Sequence, residues 1–148
     1  MSNLANTEGL HHLFETYFRS GTKVTLWYVG LISSTNFTAV ASTDTMASHT
    51  GWQEFTEYSS LTRPVWAPDT PGADDRGGIR PLADMLYELT QSAVIKGFFL
   101  TSDPTKGGAA GIMMFSEEMT DFTANSVLRA LNLGDEFALD FRTSLRNV

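Results

Sequence analysis

The spacing of apolar positions changes along the chain, and the clearest helical period lies near the N-terminus. Between Glu8 and Arg19, apolar side chains recur three and four residues apart, as they do on one face of an amphipathic helix. These side chains are Leu10, Leu13, Phe14, Tyr17 and Phe18. Asn6 or Thr7 is suited to cap the first turn, and Gly21 to end the last one. The pattern predicts one short N-terminal helix over about residues 8–19.

Shorter apolar runs with strand character follow. Val24–Ile32 and Val94–Leu100 are dense in β-branched and aromatic residues, and apolar groups would lie on both faces of an extended chain. Both runs are predicted to be central strands, and Ile112–Phe115 is predicted to be another strand. Near the C-terminus, Phe137, Leu139 and Phe141 alternate with mostly polar residues, which indicates a strand with one wet face. Pro64 restricts the segment that ends at Trp66 to an edge strand or a strand start.

A glycine-rich loop from Thr101 to Gly111 joins two of these strands. It resembles a phosphate-binding loop in composition, but not in order. In a phosphate-binding loop the Lys follows the last glycine and precedes Ser or Thr and a helix, whereas Lys106 precedes Gly107 and Gly108, and a strand follows. We therefore interpret the loop as a connection between core strands, and its tip, Pro104–Gly108, as either a protein contact or inert.

Three polar or mixed segments are less distinct. Residues 79–90 fit a helix through Leu82, Met85, Leu86 and Leu89, but Met85, Tyr87 and Leu89 also alternate as in a strand. Residues 68–78 form the most loop-like segment, whose three Asp residues lack the register of a calcium-binding loop. Residues 116–125 are acidic and polar, and we predict a charged loop there.

Aromatic side chains cluster between residues 52 and 66. Trp52, Phe55 and Tyr58 recur at three-residue intervals, and Trp66 follows. One interpretation is a binding surface for a glycan or a peptide. The other, which we favour, is that these rings fill the core or a subunit interface, because aromatic side chains bury large areas in both settings. Together with Lys106 of the glycine-rich loop, the four aromatic residues are the candidate protein-interface residues.

The composition limits the classes of function. The chain of 148 residues has a formal net charge of −7 and contains no cysteine. Its ten basic residues are scattered, which disfavours nucleic-acid binding. We find no secretory signal, no membrane-length apolar run and no nucleophile or metalloenzyme motif, and His11 and His12 lack a third ligand at metal spacing. We expect a protein that is not an enzyme, with no catalytic residues, cofactor or metal and with no nucleic-acid or membrane partner.

Several segments together resemble the small virion structural proteins of tailed bacteriophages, of the capsid decoration or cement type. The similarity extends over most of the chain, although each motif is short. The segments that carry it are Leu13-Phe14, Leu26–Leu31, Glu54–Tyr58, Thr62–Pro64, Lys96–Ser102, Thr105–Gly108 and Leu133–Phe137. The sequence departs from that pattern in its acidic insert around Asp69–Gly78.

The resemblance implies a protein that binds the outer surface of a phage capsid and stabilises it. Its partner would be the major capsid protein, and it would be made in the host cytoplasm and located on the virion surface. The resemblance also implies that Met85–Thr90 is a strand. The alternative function is a receptor- or glycan-binding module of a tail or head fibre, which the aromatic cluster motivates.

Short strands, turn signals and a single leading helix predict a mainly β fold. We expect a single domain over residues 1–148, with an antiparallel β-sandwich of the jelly-roll or Ig-like kind over about residues 23–145. The edges of such a sheet are expected to be closed or paired. Because capsids are symmetric, we expect a homodimer or a homotrimer.

Overall fold

Helix α1 (Thr7–Phe18) is the first element of the fold, and short strands follow it. The structure, a computed structural model, describes residues 5–69, 78–79, 81–120, 129–141 and 143–144. The strands within these ranges are β1 (Trp27–Ser33), β2 (Gln53–Phe55), β3 (Val65–Trp66), β4 (Gly78–Ile79), β5 (Met85–Glu88), β6 (Ala93–Thr101), β7 (Met113–Glu118), β8 (Arg129–Leu131), β9 (Glu136–Leu139) and β10 (Thr143–Ser144). The pairings between them are antiparallel. The predicted fold class, mainly antiparallel β with one short N-terminal helix, is confirmed.

Strands β1 and β6 form the centre of the main sheet, as their apolar character on both faces predicts. The strand order is β2-β1-β6-β7, with β3 also paired to β1 and β8 to β6. Gly30 on β1 lies opposite Phe99 on β6. The Phe99 ring occupies the space where a Cβ at position 30 would be. The missing side chain at Gly30 therefore lets this ring lie flat on the sheet.

The main core lies between one face of this sheet and the β5–β9 pair. The inward side chains of the pair are Met85, Tyr87 and Leu139. They join a single cluster with the side chains that β1 and β6 turn to the same side, including Val29, Leu31, Phe98 and Leu100. Two antiparallel layers with one core between them are consistent with the predicted β-sandwich.

A smaller core lies on the opposite face of the main sheet. Its buried members are Ile32, Met46, Trp52, Phe99 and Met113. Residues 37–52 cover this face with little regular structure, and Phe37 and Val40 pack against the cluster. Both faces of the central strands are therefore buried.

Two of the less distinct segments can now be assigned. Met85–Glu88 is a strand, β5, as the resemblance implies and not the helix that the spacing also allowed. The charged-loop prediction for residues 116–125 is wrong for Ser116–Glu118, which continue β7 beside β6. The Glu118 carboxylate lies 2.6 Å from the Lys96 ammonium on β6, so an acidic residue is accommodated in the strand. Residues 70–77 of the predicted acidic loop, and residues 121–128, lie outside the described residues.

Candidate functional site: the outward face of helix α1

The residues at the start of α1 are hydrogen-bonded to the edge of β7. The Asn6 N–H donates to the Met114 carbonyl at 2.9 Å, and the Asn6 side-chain oxygen accepts from the Ser116 N–H at 2.8 Å. The Glu8 carboxylate accepts from the Met113 N–H at 2.9 Å. Asn6 is also the residue before the helix, as predicted, but its side chain makes no capping bond to α1. It instead satisfies polar groups of a strand edge that would otherwise be open to another strand.

The side of α1 that faces the sheet is made of small and polar residues. Gly9 is buried, and a Cβ at this position would lie 2.4 Å from the Met114 carbonyl oxygen. One turn later, the His12 and Trp27 rings meet in a T-shaped arrangement with 5.9 Å between centroids. Thr16, a further turn along, is partly buried. The helix can approach β7 closely because Gly9 has no side chain.

The apolar side of α1 faces away from the sheet. The exposed fractions are 36% for Leu13, 53% for Phe14, 79% for Tyr17 and 73% for Phe18. We call these four residues the α1 stripe. An amphipathic helix of a globular protein ordinarily turns such a stripe to the core. Here the helix itself is confirmed, whereas most of its apolar surface lies in solvent.

The rings of the α1 stripe contact one another. The Phe18 ring lies 6.0 Å from Phe14 and 5.0 Å from Tyr17, measured between centroids. These contacts keep the three aromatic side chains together as one patch instead of three separate exposed rings. A contiguous apolar patch on the surface is typical of a site of protein–protein contact.

Charged groups next to the α1 stripe are paired or turned away from it. The Arg19 guanidinium lies 3.3 Å from the Glu15 carboxylate, one turn back along the helix. Glu8 is directed to Met113, as described above. The helix ends where the sequence predicts, because the Arg19 and Gly21 N–H groups both donate to the Glu15 carbonyl. On α1 itself, the acidic side chains therefore have partners at Arg19 and at the Met113 N–H.

The four aromatic residues that the sequence singled out as a candidate interface lie inside the protein. Trp52 is 2% exposed, stacks on His49 at 3.9 Å and donates from its indole N–H to the Asp44 carboxylate at 2.8 Å. Phe55, Tyr58 and Trp66 belong to the main core. They do not form an exposed binding surface, and their burial supports the interpretation of these rings as core.

Lys106, the fifth candidate interface residue, forms its hydrogen bonds within its own chain. Its ammonium group donates to the carbonyls of Thr56 and Tyr58 at 3.0 and 2.9 Å. It also lies 4.3 Å above the centre of the Tyr58 ring. Lys106 thus attaches the glycine-rich loop to the segment that follows β2.

A buried ion pair anchors the same loop. Arg63 has a fully buried side chain and donates to both oxygens of Glu54, at 2.8 and 2.7 Å. Arg63 also donates to the Asp103 carbonyl at 2.8 Å, and Glu54 accepts from the Gly107 N–H at 2.7 Å. Bidentate charge-assisted bonds of this kind fix geometry strongly. The loop is therefore a connection between β6 and β7 that these hydrogen bonds hold in one position.

Burial raises the pKa of side chains elsewhere in the fold. Burial raises the pKa of Glu117 on β7 to about 7. Burial, and after it the Glu54 carboxylate, raises the pKa of Tyr58, while Arg63 acts in the opposite direction. Burial also raises the pKa of Tyr87, whose hydroxyl donates to the Val29 carbonyl at 2.9 Å. Among the described residues, no group of three or more side chains is arranged to hold a metal ion.

The stripe was visible in the sequence as a helix face, but nothing in its spacing shows on which side the helix packs. The one local signal is Gly9, which lies on the side of the predicted helix away from Phe14. A glycine inside a helical pattern often marks a close backbone contact. Gly9 therefore indicates that the glycine side of α1, and not its apolar side, faces the sheet.

No protein-family model matches the chain, and no curated protein matches it. In the described part of the chain, no helix has the length and apolar character needed to cross a membrane.

Proposed function

We propose that this chain is a structural protein of a tailed-phage virion that binds the outer surface of the capsid and stabilises it. The observation that carries the proposal is the outward α1 stripe. Leu13, Phe14, Tyr17 and Phe18 are held on a helix whose other side is fixed to the main sheet. The stripe supports a function that is exerted through contact with other proteins.

The energetics of association favour such a surface. Exposed aromatic side chains offer large areas for burial, and burying apolar area is the main driving force of protein association. Aromatic residues are also the side chains most often found to dominate binding energy. Because α1 is anchored by hydrogen bonds that Asn6 and Glu8 accept from β7, little order has to be gained when a partner binds.

The assignment to a capsid is supported by the resemblance in the segments around β1, β6 and the glycine-rich loop. The net charge of −7 fits a partner made of protein better than one made of nucleic acid. The fibre-type alternative loses the observation that motivated it, because Trp52, Phe55, Tyr58 and Trp66 are buried.

Binding to capsids tests the proposal directly. Purified protein is mixed with undecorated capsids of a phage that encodes it, and the capsids are then sedimented. We expect the protein to co-sediment at micromolar concentration and to raise the melting temperature of the capsid, because it binds the assembled state. Absence of binding at that concentration would refute the proposed function.

A variant of the α1 stripe shows whether capsid binding depends on this surface. Phe14→Ser combined with Tyr17→Ser should weaken co-sedimentation at least about tenfold, since each ring is a candidate hot spot. Leu61→Ser is the matched control, because Leu61 is an apolar residue that is 92% exposed and lies outside the stripe. Equal loss of binding in the control and the double variant would show that the stripe has no special role.

A further inference from the structure

We infer that the α1 stripe is covered by the same stripe of a second copy of this chain, so that two copies pair through their α1 helices about a two-fold axis. The inference rests on the proposed role of the stripe in assembly, and it names the partner that contacts it. The dimer is then the unit that binds the capsid, and loss of the stripe weakens capsid binding because it separates the two copies.

The exposed area of the stripe is sufficient for a dimer. Phe14, Tyr17 and Phe18 are between 53% and 79% exposed, and Leu13 is 36% exposed. A fully buried aromatic side chain contributes 150–250 Å², so the stripe offers about 500 Å² per copy. A pair of copies would bury about 1,000 Å² in total, which is where specific interfaces begin.

The charges around the stripe allow two identical surfaces to meet. Like charges on the two copies would repel each other if the stripe carried its share of the chain's net charge of −7. Instead, Glu15 lies 3.3 Å from the oppositely charged Arg19, and Glu8 is bonded to the Met113 N–H. An apolar surface that is flanked by charges of both signs can be self-complementary, as an interface with two-fold symmetry requires.

The way α1 is anchored leaves this surface accessible to another copy. The inward side of the helix is in contact with β7 at Gly9 and with Trp27 at His12. The stripe thus lies on the solvent-exposed side of the helix. In the proposed dimer, two such helices pack face to face.

The mass of the protein in solution, measured by light scattering after gel filtration and by sedimentation equilibrium, tests the inference. At tens of micromolar, we expect twice the monomer mass of 16.3 kDa. The Phe14→Ser, Tyr17→Ser double variant should be a monomer with an unchanged circular dichroism spectrum, and Leu61→Ser should remain a dimer. A monomeric wild type, or a double variant that stays dimeric, would overturn the inference.

Crosslinking locates the contact independently of these substitutions. The chain has no cysteine, so a single introduced thiol reports one position. Glu15→Cys, next to the stripe, should give a crosslinked dimer with a short bis-maleimide, whereas Leu61→Cys should not. The reverse result would place the contact elsewhere and refute the inference.

The two proposals fail in different ways. If the protein is a dimer through α1 but does not bind capsids, the proposed function is refuted and the pairing stands. If capsids bind the protein as a monomer through the stripe, the pairing is refuted and the capsid function stands.

Discussion

Gly9 lies directly against the backbone of Met114, and this contact sets the distance between α1 and the edge of β7. A Cβ at position 9 would lie 2.4 Å from the Met114 carbonyl oxygen and 2.6 Å from its Cα. Both of these atoms belong to the backbone of a paired strand, so they cannot move aside as a flexible side chain would. The position of α1 against β7 therefore depends on the absence of a side chain at Gly9.

Gly9→Val should separate α1 from β7 and lower the free energy of unfolding by about 2–4 kcal/mol, because the added atoms overlap backbone and the nearby hydrogen bonds lengthen. Urea denaturation measures the change. His11→Val is the control, since His11 is exposed on the same helix. Equal stability of the two variants would contradict the close contact.

Removing the buried cation at position 63 should be strongly destabilising. Arg63→Met leaves the Glu54 carboxylate buried without its bidentate partner, which costs about 3–5 kcal/mol. Combining Arg63→Met with Glu54→Gln should recover part of this loss, since no unpaired charge is then buried. The comparison uses urea denaturation of the single and double variants, and a double variant no more stable than Arg63→Met would argue against the ion pair as the cause.

The carboxyl group of Glu117 should make the protein less stable as the pH rises toward neutrality. Burial raises its pKa from 4.5 to about 7, so between these values the folded protein holds a proton that the unfolded chain releases. Its contribution to stability is complete below pH 4.5 and is lost as the pH rises through 7. Because the group is partly exposed, we expect about 1–2 kcal/mol from this residue.

Substitution of the same residue tests this pH dependence. Glu117→Gln should match the wild type at pH 4.5 and be more stable than it above pH 7, with a flatter profile of unfolding free energy between them. Glu57→Gln, at an exposed position, is the control variant. A profile for Glu117→Gln that is parallel to that of the wild type would show that the carboxyl group is not responsible.

The strands of the main sheet were predictable because their residues must be buried on both sides. Val94–Leu100 has apolar groups on both faces, and β6 is buried on both faces. The pairing of Met85 with Leu139 was not predictable from spacing, because residues 79–90 fit two periods equally well. Ser116–Glu118 misled the prediction, since strand pairing to β6 outweighs the low β-propensity of acidic residues.

The candidate site was predictable only in part. The sequence shows the α1 stripe as a helix face, and burial of Tyr58 and Trp66 agrees with the favoured interpretation of the aromatic cluster. The direction in which α1 faces depends on Gly9, which is the one local signal, and on hydrogen bonds between Asn6 and Ser116. These bonds join residues 110 positions apart, and no local pattern reports them.

The long sequence separation between α1 and β7 also determines when α1 packs against the sheet during folding. The bonds that Ser116 donates to Asn6 and Met113 donates to Glu8 span 110 and 105 residues, so they cannot form during synthesis until β7 has emerged. Closing such long loops is entropically costly and depends on prior formation of the sheet. Attachment of α1 is therefore expected to be a late step of folding. A copy presents the α1 stripe in its final position only once its sheet is complete, which limits premature association of unfinished chains.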